Sequence, residues 1–332
     1  MKPIVHSILT GAMVTAAMLP AEPPSQIGVP LLGYVVDSAA ASIRPVTGIP
    51  GASTIGSPLD FGTASSGVAV SPRQDFAIGT GADGAVRILS LQPGNYTSRI
   101  LATAGTPQQI VFSPAGGTAG LYLQDRAKLQ IFTDLPQEAT LIHEIDVSGT
   151  GSWRSAAISD DGKLAVILAG DQDSATLWLS YGGGDPVQLQ APAGTAAAGF
   201  RRGSDEATAA TWDGQVYLLE NLATGPTVRV VTPRDSRISQ PVAIQFSPDG
   251  ERIYVATGQG TVAEFGIRSG GATFVSCGCK PSGLFPLRSA ALIRLNEFSG
   301  GPLMLLDTSN AAPRTWFVPA VAAPASSGGS VQ

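Results

Sequence analysis

Histidine, cysteine and charge are all scarce in this chain of 332 residues, and each shortage closes off a kind of chemistry. Two histidines are present. His6 falls in an apolar N-terminal stretch, which leaves His143 alone for a Ser-His-Asp relay or a histidine metal site. Its surroundings, Thr140-Leu141-Ile142-His143-Glu144-Ile145-Asp146-Val147, alternate like an outer strand with His143 on the polar side, so neither role is expected. Charged residues make up 14% of the chain, with 20 basic against 25 acidic and a formal charge of -5. A mildly acidic surface with no basic cluster speaks against nucleic acid and anionic membrane as main partners. Long apolar runs are missing too. The stretch Ile8 to Leu19 is short for a bilayer, and nothing later approaches the length required. No long amphipathic helix interrupts the pattern.

What is abundant is small and turn-forming. The chain carries 40 Gly and 25 Pro, set between short apolar runs, while hydrophobic residues reach 43%. That supplies a large core and suits many short strands joined by tight turns. The N-terminus has the form of an export signal: Lys2, then Ile8 to Leu19, then Pro20-Ala21-Glu22-Pro23-Pro24. Cleavage after Ala21 is expected, with a retained N-terminal anchor as the alternative because Leu19 occupies the −3 position. The expected domains are therefore a signal peptide at 1–21, one folded unit at 22–320 and a flexible tail of small and polar residues at 321–332.

A degenerate repeat organises the middle. Its clearest copy runs from Pro241 to Ile267. Val242-Ala243-Ile244-Gln245-Phe246 is followed by Ser247-Pro248-Asp249-Gly250, in which Pro presets one turn angle, Asp bonds the backbone ahead and Gly accepts positive φ. Ile253-Tyr254-Val255-Ala256 and Thr261 to Ile267 complete three strands and two turns. The position of Ser247 recurs at Ser71, Ser113, Ser159, about Arg201 and, more weakly, near Pro286. The steps are 42, 46, 42, 46 and 39 residues, close to the roughly 40–45 that suits propeller blades. Upstream, Leu31 to Val36 and Ser42 to Val46 match a middle hairpin without the turn motif. Seven units follow, and the fold class is all-β: a β-propeller of seven blades, each of four antiparallel strands, with six or eight as alternatives. A lone blade leaves both faces exposed, whereas a closed ring buries each against a neighbour.

Ser247-Pro248-Asp249-Gly250-Glu251-Arg252-Ile253-Tyr254-Val255-Ala256 resembles the YVTN-type propeller repeat and, less closely, the WD-repeat. Trp212-Asp213 is similar to the WD dipeptide but falls in a hairpin turn, and no Gly-His pair precedes the strands. The head, Leu32 to Asp37 and Ile43 to Ala52, resembles that of secreted acidobacterial propeller proteins with no assigned activity. The resemblance implies export and fold; it carries no catalytic residues.

Several residues are candidates for chemistry. Cys277-Gly278-Cys279 would form a small disulfide ring in an oxidising compartment, either a structural clip or a redox pair; the expected metal ligands are none, since two thiolates lack third and fourth partners. Asp160-Asp161 and Asp171-Gln172-Asp173 are candidate binding carboxylates, against the plainer reading that Asp favours turns. Arg201-Arg202 replaces the Ser-Pro turn of its unit and would grip an anionic ligand or a carboxylate, against the plainer reading of a solvated or ion-paired edge. Trp153, Trp178 and Trp212 read as blade packing. No catalytic constellation is present, and no cofactor is expected. The expected function is a secreted or periplasmic, non-catalytic module that binds an envelope or extracellular protein or a small ligand. The alternative is a lactonase- or glycan-type hydrolase using clustered carboxylates, for which three or more acids converging at one end of the channel would be the sign.

Overall fold

The computed structural model describes residues 29–62, 64–310 and 312–320; the segments expected to be an export signal, 1–21, and a tail, 321–332, lie outside the described residues. Seven antiparallel sheets follow one another along the chain, and among the described residues no α-helix and no apolar helix long enough to cross a membrane is present. Blade 1 contains β1 (Leu31–Asp37), β2 (Ser42–Ile49) and β3 (Ala52–Ile55). Blade 2 contains β4 (Ser65–Val70), β5 (Phe76–Gly81), β6 (Val86–Ser90) and β7 (Ser98–Ile100). Blade 3 contains β8 (Gln109–Phe112), β9 (Ala119–Leu123), β10 (Lys128–Thr133) and β11 (Thr140–Asp146), the last carrying His143 as expected. Blade 4 is β12 (Trp153–Ile158), β13 (Leu164–Ala169), β14 (Thr176–Tyr181) and β15 (Val187–Gln188). Blade 5 is β16 (Thr195–Phe200), β17 (Ala207–Thr211), β18 (Val216–Glu220) and β19 (Thr227–Thr232). Blade 6 is β20 (Pro241–Phe246), β21 (Arg252–Thr257), β22 (Thr261–Gly266) and β23 (Ala272–Ser276). Blade 7 is β24 (Phe285–Pro286), β25 (Leu292–Arg294), β26 (Leu303–Asp307) and β27 (Arg314–Val318).

Seven blades are present, as the repeat implies. The recurring marker falls at one structural place, the turn between the first and second strands of blades 2 to 7. Its chemistry is visible in blade 6, where the Ser247 N–H donates to Arg252 O at 2.8 Å and the Arg252 N–H donates back to Ser247 Oγ at 2.9 Å. Asp249 accepts from the Ser247 hydroxyl and the Glu251 N–H. Blade 4 repeats the arrangement with Ser159, Asp161, Lys163 and Leu164.

The second strand of each complete blade is the most buried; β5, β9, β13 and β17 are buried at every residue. Apolar side chains alternate to both faces and meet those of the next blade. Seven clusters result, one at each of the seven blade–blade interfaces. Blade 7 meets blade 1 through Leu292, Phe298, Leu303 and Leu305 against Val35 and Val46, so the ring is closed by the same burial that joins the other blades. Each such side chain contributes about 1.5–3 kcal/mol when fully buried. Trp153 stacks on Tyr122 at 4.0 Å between ring centroids, in keeping with a packing role.

Blade 1 differs from the rest. Among the described residues it has three strands, and β1 occupies the second-strand position with no inner strand beside it. The edge of β1 is sealed by other means. The Tyr34 N–H donates to Gln74 Oε1 at 2.6 Å, and Gln74 Nε2 donates to Pro286 O at 2.8 Å. The Arg288 N–H donates to Leu32 O, and Asp37 forms a parallel bridge with Phe298. One amide side chain from blade 2 thus connects blades 1 and 7 where, among the described residues, no inner strand pairs with β1.

Candidate functional site: the axial channel

Inner strands running side by side enclose a cavity of about 1150 Å³ on the ring axis. Its wall is built from β4, β8, β12, β16, β20 and β24, with Val36, Ser38 and Ala41 at the end of β1 filling the seventh sector. Val70, Ile110, Ile158, Ala198 and Phe246 occur along the wall beside Ser66, Gln109 and Gln245, so the lining is mixed, apolar and polar.

One mouth is formed by the turns that carry the repeat marker. Arg73, Asp75, Arg202 and Arg288 line it. Arg73 is occupied, its guanidinium donating to Asp75 Oδ2 at 2.6 Å and to Leu135 O at 3.2 Å. Arg202 and Arg288 are exposed, and among the described residues neither side chain forms an ion pair or a hydrogen bond. Two uncommitted guanidinium groups therefore stand at the rim of the axial cavity.

The structure separates the two expected arginines. Arg201 pairs with Glu206 at 2.8 Å and packs its guanidinium against Gly250 of blade 6, while Arg202 faces the mouth. It separates the two aspartates of blade 4 as well. Asp160 accepts the Ala115 N–H from blade 3 and the Gly203 N–H from blade 5, both at 2.7 Å, and so ties three neighbouring turns together. Asp161 is held within its own turn by the Ser159 hydroxyl and the Lys163 N–H. Burial pushes its carboxyl up, but the Lys163 N–H, the Ser159 hydroxyl and the Lys163 charge outweigh this and hold it below the usual carboxylate value. Asp171 and Asp173 lie exposed in the loop between β13 and β14, away from the channel lining. Cys277 and Cys279 are joined as a disulfide in the loop that leaves β23 of blade 6, with Cα atoms 5.2 Å apart. Cys277 is buried in the interface with blade 7.

Acidic residues do not converge on the axis. Asp75 and Glu297 are the acids among the described lining residues; the first sits in a first-to-second-strand turn and the second in a second-to-third-strand turn, at opposite ends of their blades. Among the described residues no group of three His, Cys, Asp or Glu is placed to hold a metal ion.

Three residues that matter here escaped the sequence reading: Gln74, Arg288 and Arg294. Two of them left a signal. Gln74 stands in the slot that Gly116, Gly162 and Gly250 occupy in the equivalent turns, and Arg294 interrupts the apolar run Ala291-Leu292-Ile293-Arg294-Leu295.

Fold and channel together define a seven-bladed propeller with a polar-rimmed axial cavity. No family model matches the chain, and no curated protein matches it. Among solved structures it is similar to a functionally unknown protein from Desulfotomaculum acetoxidans DSM 771, at 16% identity and TM-score 0.61, covering 88% of this chain and 95% of that one. It is also similar to a protein from Lactobacillus plantarum, at 14% identity and TM-score 0.57 over 87% of this chain and 96% of that one. A third likeness is to Kuenenia stuttgartiensis hydrazine synthase, at 14% identity and TM-score 0.54 over 88% and 99%. At such identities the likeness is one of fold.

Proposed function

We propose that this propeller is an exported, non-catalytic interaction module that binds an anionic partner, a protein segment or a small ligand, at the Arg202–Arg288 mouth. The observation that carries the reading is the pair of exposed, unpaired guanidinium groups at the rim of the cavity. Arginine suits carboxylate recognition because its planar fork matches two oxygens at once. The separation of Asp75 from Glu297 supports binding over hydrolysis, since a paired-carboxylate mechanism needs both acids within several ångströms of one bond. The Cys277–Cys279 disulfide supports export, because such bonds persist in oxidising compartments. The likeness of the repeat to YVTN-type units and of the head to secreted propellers points the same way.

The test is retrieval of partners from an envelope fraction with tagged protein, beside the same protein carrying Arg202→Glu and Arg288→Glu. The reading expects a partner that the wild type retains and the double variant loses, with retention falling as salt rises. Recovery of no partner, together with turnover of a lactone or glycan panel, would overturn it in favour of the hydrolase.

A further inference from the structure

The second strand of each complete blade places one residue opposite the penultimate position of the inner strand. In blades 2 to 6 these residues are Ile78, Gly120, Val166, Thr208 and Tyr254, all buried and uncharged. In blade 7 the same register position, opposite Phe285, holds Arg294. A full charge therefore occupies a core slot, 7% exposed.

Its compensation is incomplete. Nη1 donates to Asn296 O at 2.6 Å, and the guanidinium lies over the Phe285 ring at 4.0 Å. Nε has no hydrogen-bonding partner, and among the described residues no carboxylate lies within ion-pairing distance. Burial lowers the guanidinium pKa to about 10, with the charge of exposed Glu297 opposing that shift. A buried charge without a counterion is strongly unfavourable unless something supplies one. Arg294 also lines the axial cavity, beside the sector where, among the described residues, blade 1 has no inner strand. Ser65, 5% exposed and lining the same cavity, has a hydroxyl with no partner either.

We infer that Arg294 is the anchor of an oxyanion-binding subsite inside the channel, which takes a small ligand bearing a carboxylate or a phosphate. The subsite is separate from the mouth arginines and goes beyond the function proposed above, so either can fail alone. The anion would supply the counterion that Arg294 lacks, and the apolar side chains within the mixed wall would hold the remainder of the ligand.

Calorimetric titration with sodium succinate and with inorganic phosphate, against sodium chloride at matched ionic strength, tests the assignment. Wild type is expected to bind at least one of the two oxyanions, and the tighter one identifies the chemistry. Arg294→Met places an apolar chain of similar reach in a slot that is apolar or neutral in the other blades, and should weaken binding about tenfold or more. Arg294→Lys keeps the charge without the fork and should weaken it less; it also serves if the Met variant does not fold. Glu297→Gln should bind as well as wild type or better, since it removes a negative charge from the cavity lining. Equal binding by wild type and both Arg294 variants, or no response beyond chloride in wild type and Glu297→Gln, would overturn the assignment.

Discussion

Two turns of one motif, one in blade 6 and one in blade 2, show how the ring is built and where it departs from repetition. Ser247-Pro248-Asp249-Gly250 and Ser71-Pro72-Arg73-Gln74 have the same backbone course: the fourth residue donates its N–H to the first residue's carbonyl at 2.8 Å in both. The fourth residue has φ of +71° in Gly250 and +60° in Gln74. Glycine is the natural occupant of that conformation, and a residue with a side chain there is strained. The neighbours explain the exception. The space beside Gly250 is filled by Arg201 of blade 5, and that beside Gly116 by Ser71 and Arg73 of blade 2. Blade 2 is preceded by blade 1, which among the described residues has no inner strand and no such turn to fill the space. Gln74 extends into it and supplies one acceptor for Tyr34 and one donor for Pro286. Repetition fixes the ordinary turn, and the broken repeat fixes the odd one.

The largest effect is expected from Gln74→Leu. It keeps the strained backbone but leaves the buried Tyr34 N–H and the part-buried Pro286 carbonyl without partners, a loss of roughly 2–4 kcal/mol measurable by urea denaturation. The reciprocal change, Gly116→Gln, puts a Cβ at 2.5 Å from Ser71 Oγ and 3.1 Å from the Arg73 backbone nitrogen, at φ +72°. About 2–4 kcal/mol should be lost, because backbone gives way less readily than a side chain. If Gly116→Gln were harmless, the argument that neighbours dictate the fourth residue would be broken.

Asp160→Ala tests the regular side of the contrast. It removes the acceptor shared by blades 3 and 5, and a destabilisation of about 1–3 kcal/mol is expected by thermal or chemical melting. Reduction of Cys277–Cys279 should cost less, about 1–2 kcal/mol, since the loop it closes is so short. Acid gives the smallest and most selective effect. The Ser247 hydroxyl, followed by the Glu251 N–H, holds Asp249 below the usual carboxylate value, and Asp161 is lowered as well. A folded-state pKa below the unfolded one contributes stability that is complete above about pH 4 and is lost as pH falls through the folded value. Blade 2 has no aspartate at the third position of its turn. Asp161→Asn with Asp249→Asn should therefore make the acid limb of the stability curve shallower, with Asp83, Asp146, Asp235 and Asp307 keeping the rest, while leaving exchange in the blade 2 turn unchanged.

Much of this was legible in the residues because propeller physics is repetitive. Ser-Pro and Asp-Gly turns at near-constant spacing located the inner hairpins of blades 2 to 6, and Leu31 to Val36 with Ser42 to Val46 matched a middle hairpin of blade 1. Asp161 was readable as a turn residue, and Trp212-Asp213 as a hairpin, since local hydrogen bonds decide both. The channel rim was only half legible. Arg201 and Arg202 are adjacent in sequence, yet one faces blade 6 and the other the mouth, a division set by the turn between β16 and β17. Asp160 looked interchangeable with Asp161, although its partners are 45 and 43 residues away. Arg288 and Arg294 were hidden in the faintest repeat, where β24 is reduced to two residues and the marker is lost.

Amide hydrogen exchange across β1, followed by mass spectrometry in wild type and in Gln74→Leu, tests the closure of the ring most directly. The account predicts that wild-type Leu31 to Asp37 exchanges as slowly as the fully buried β13, and that Gln74→Leu accelerates β1 while β13 stays protected. Fast exchange of β1 in wild type, or equal exchange of β1 in both proteins, would contradict it.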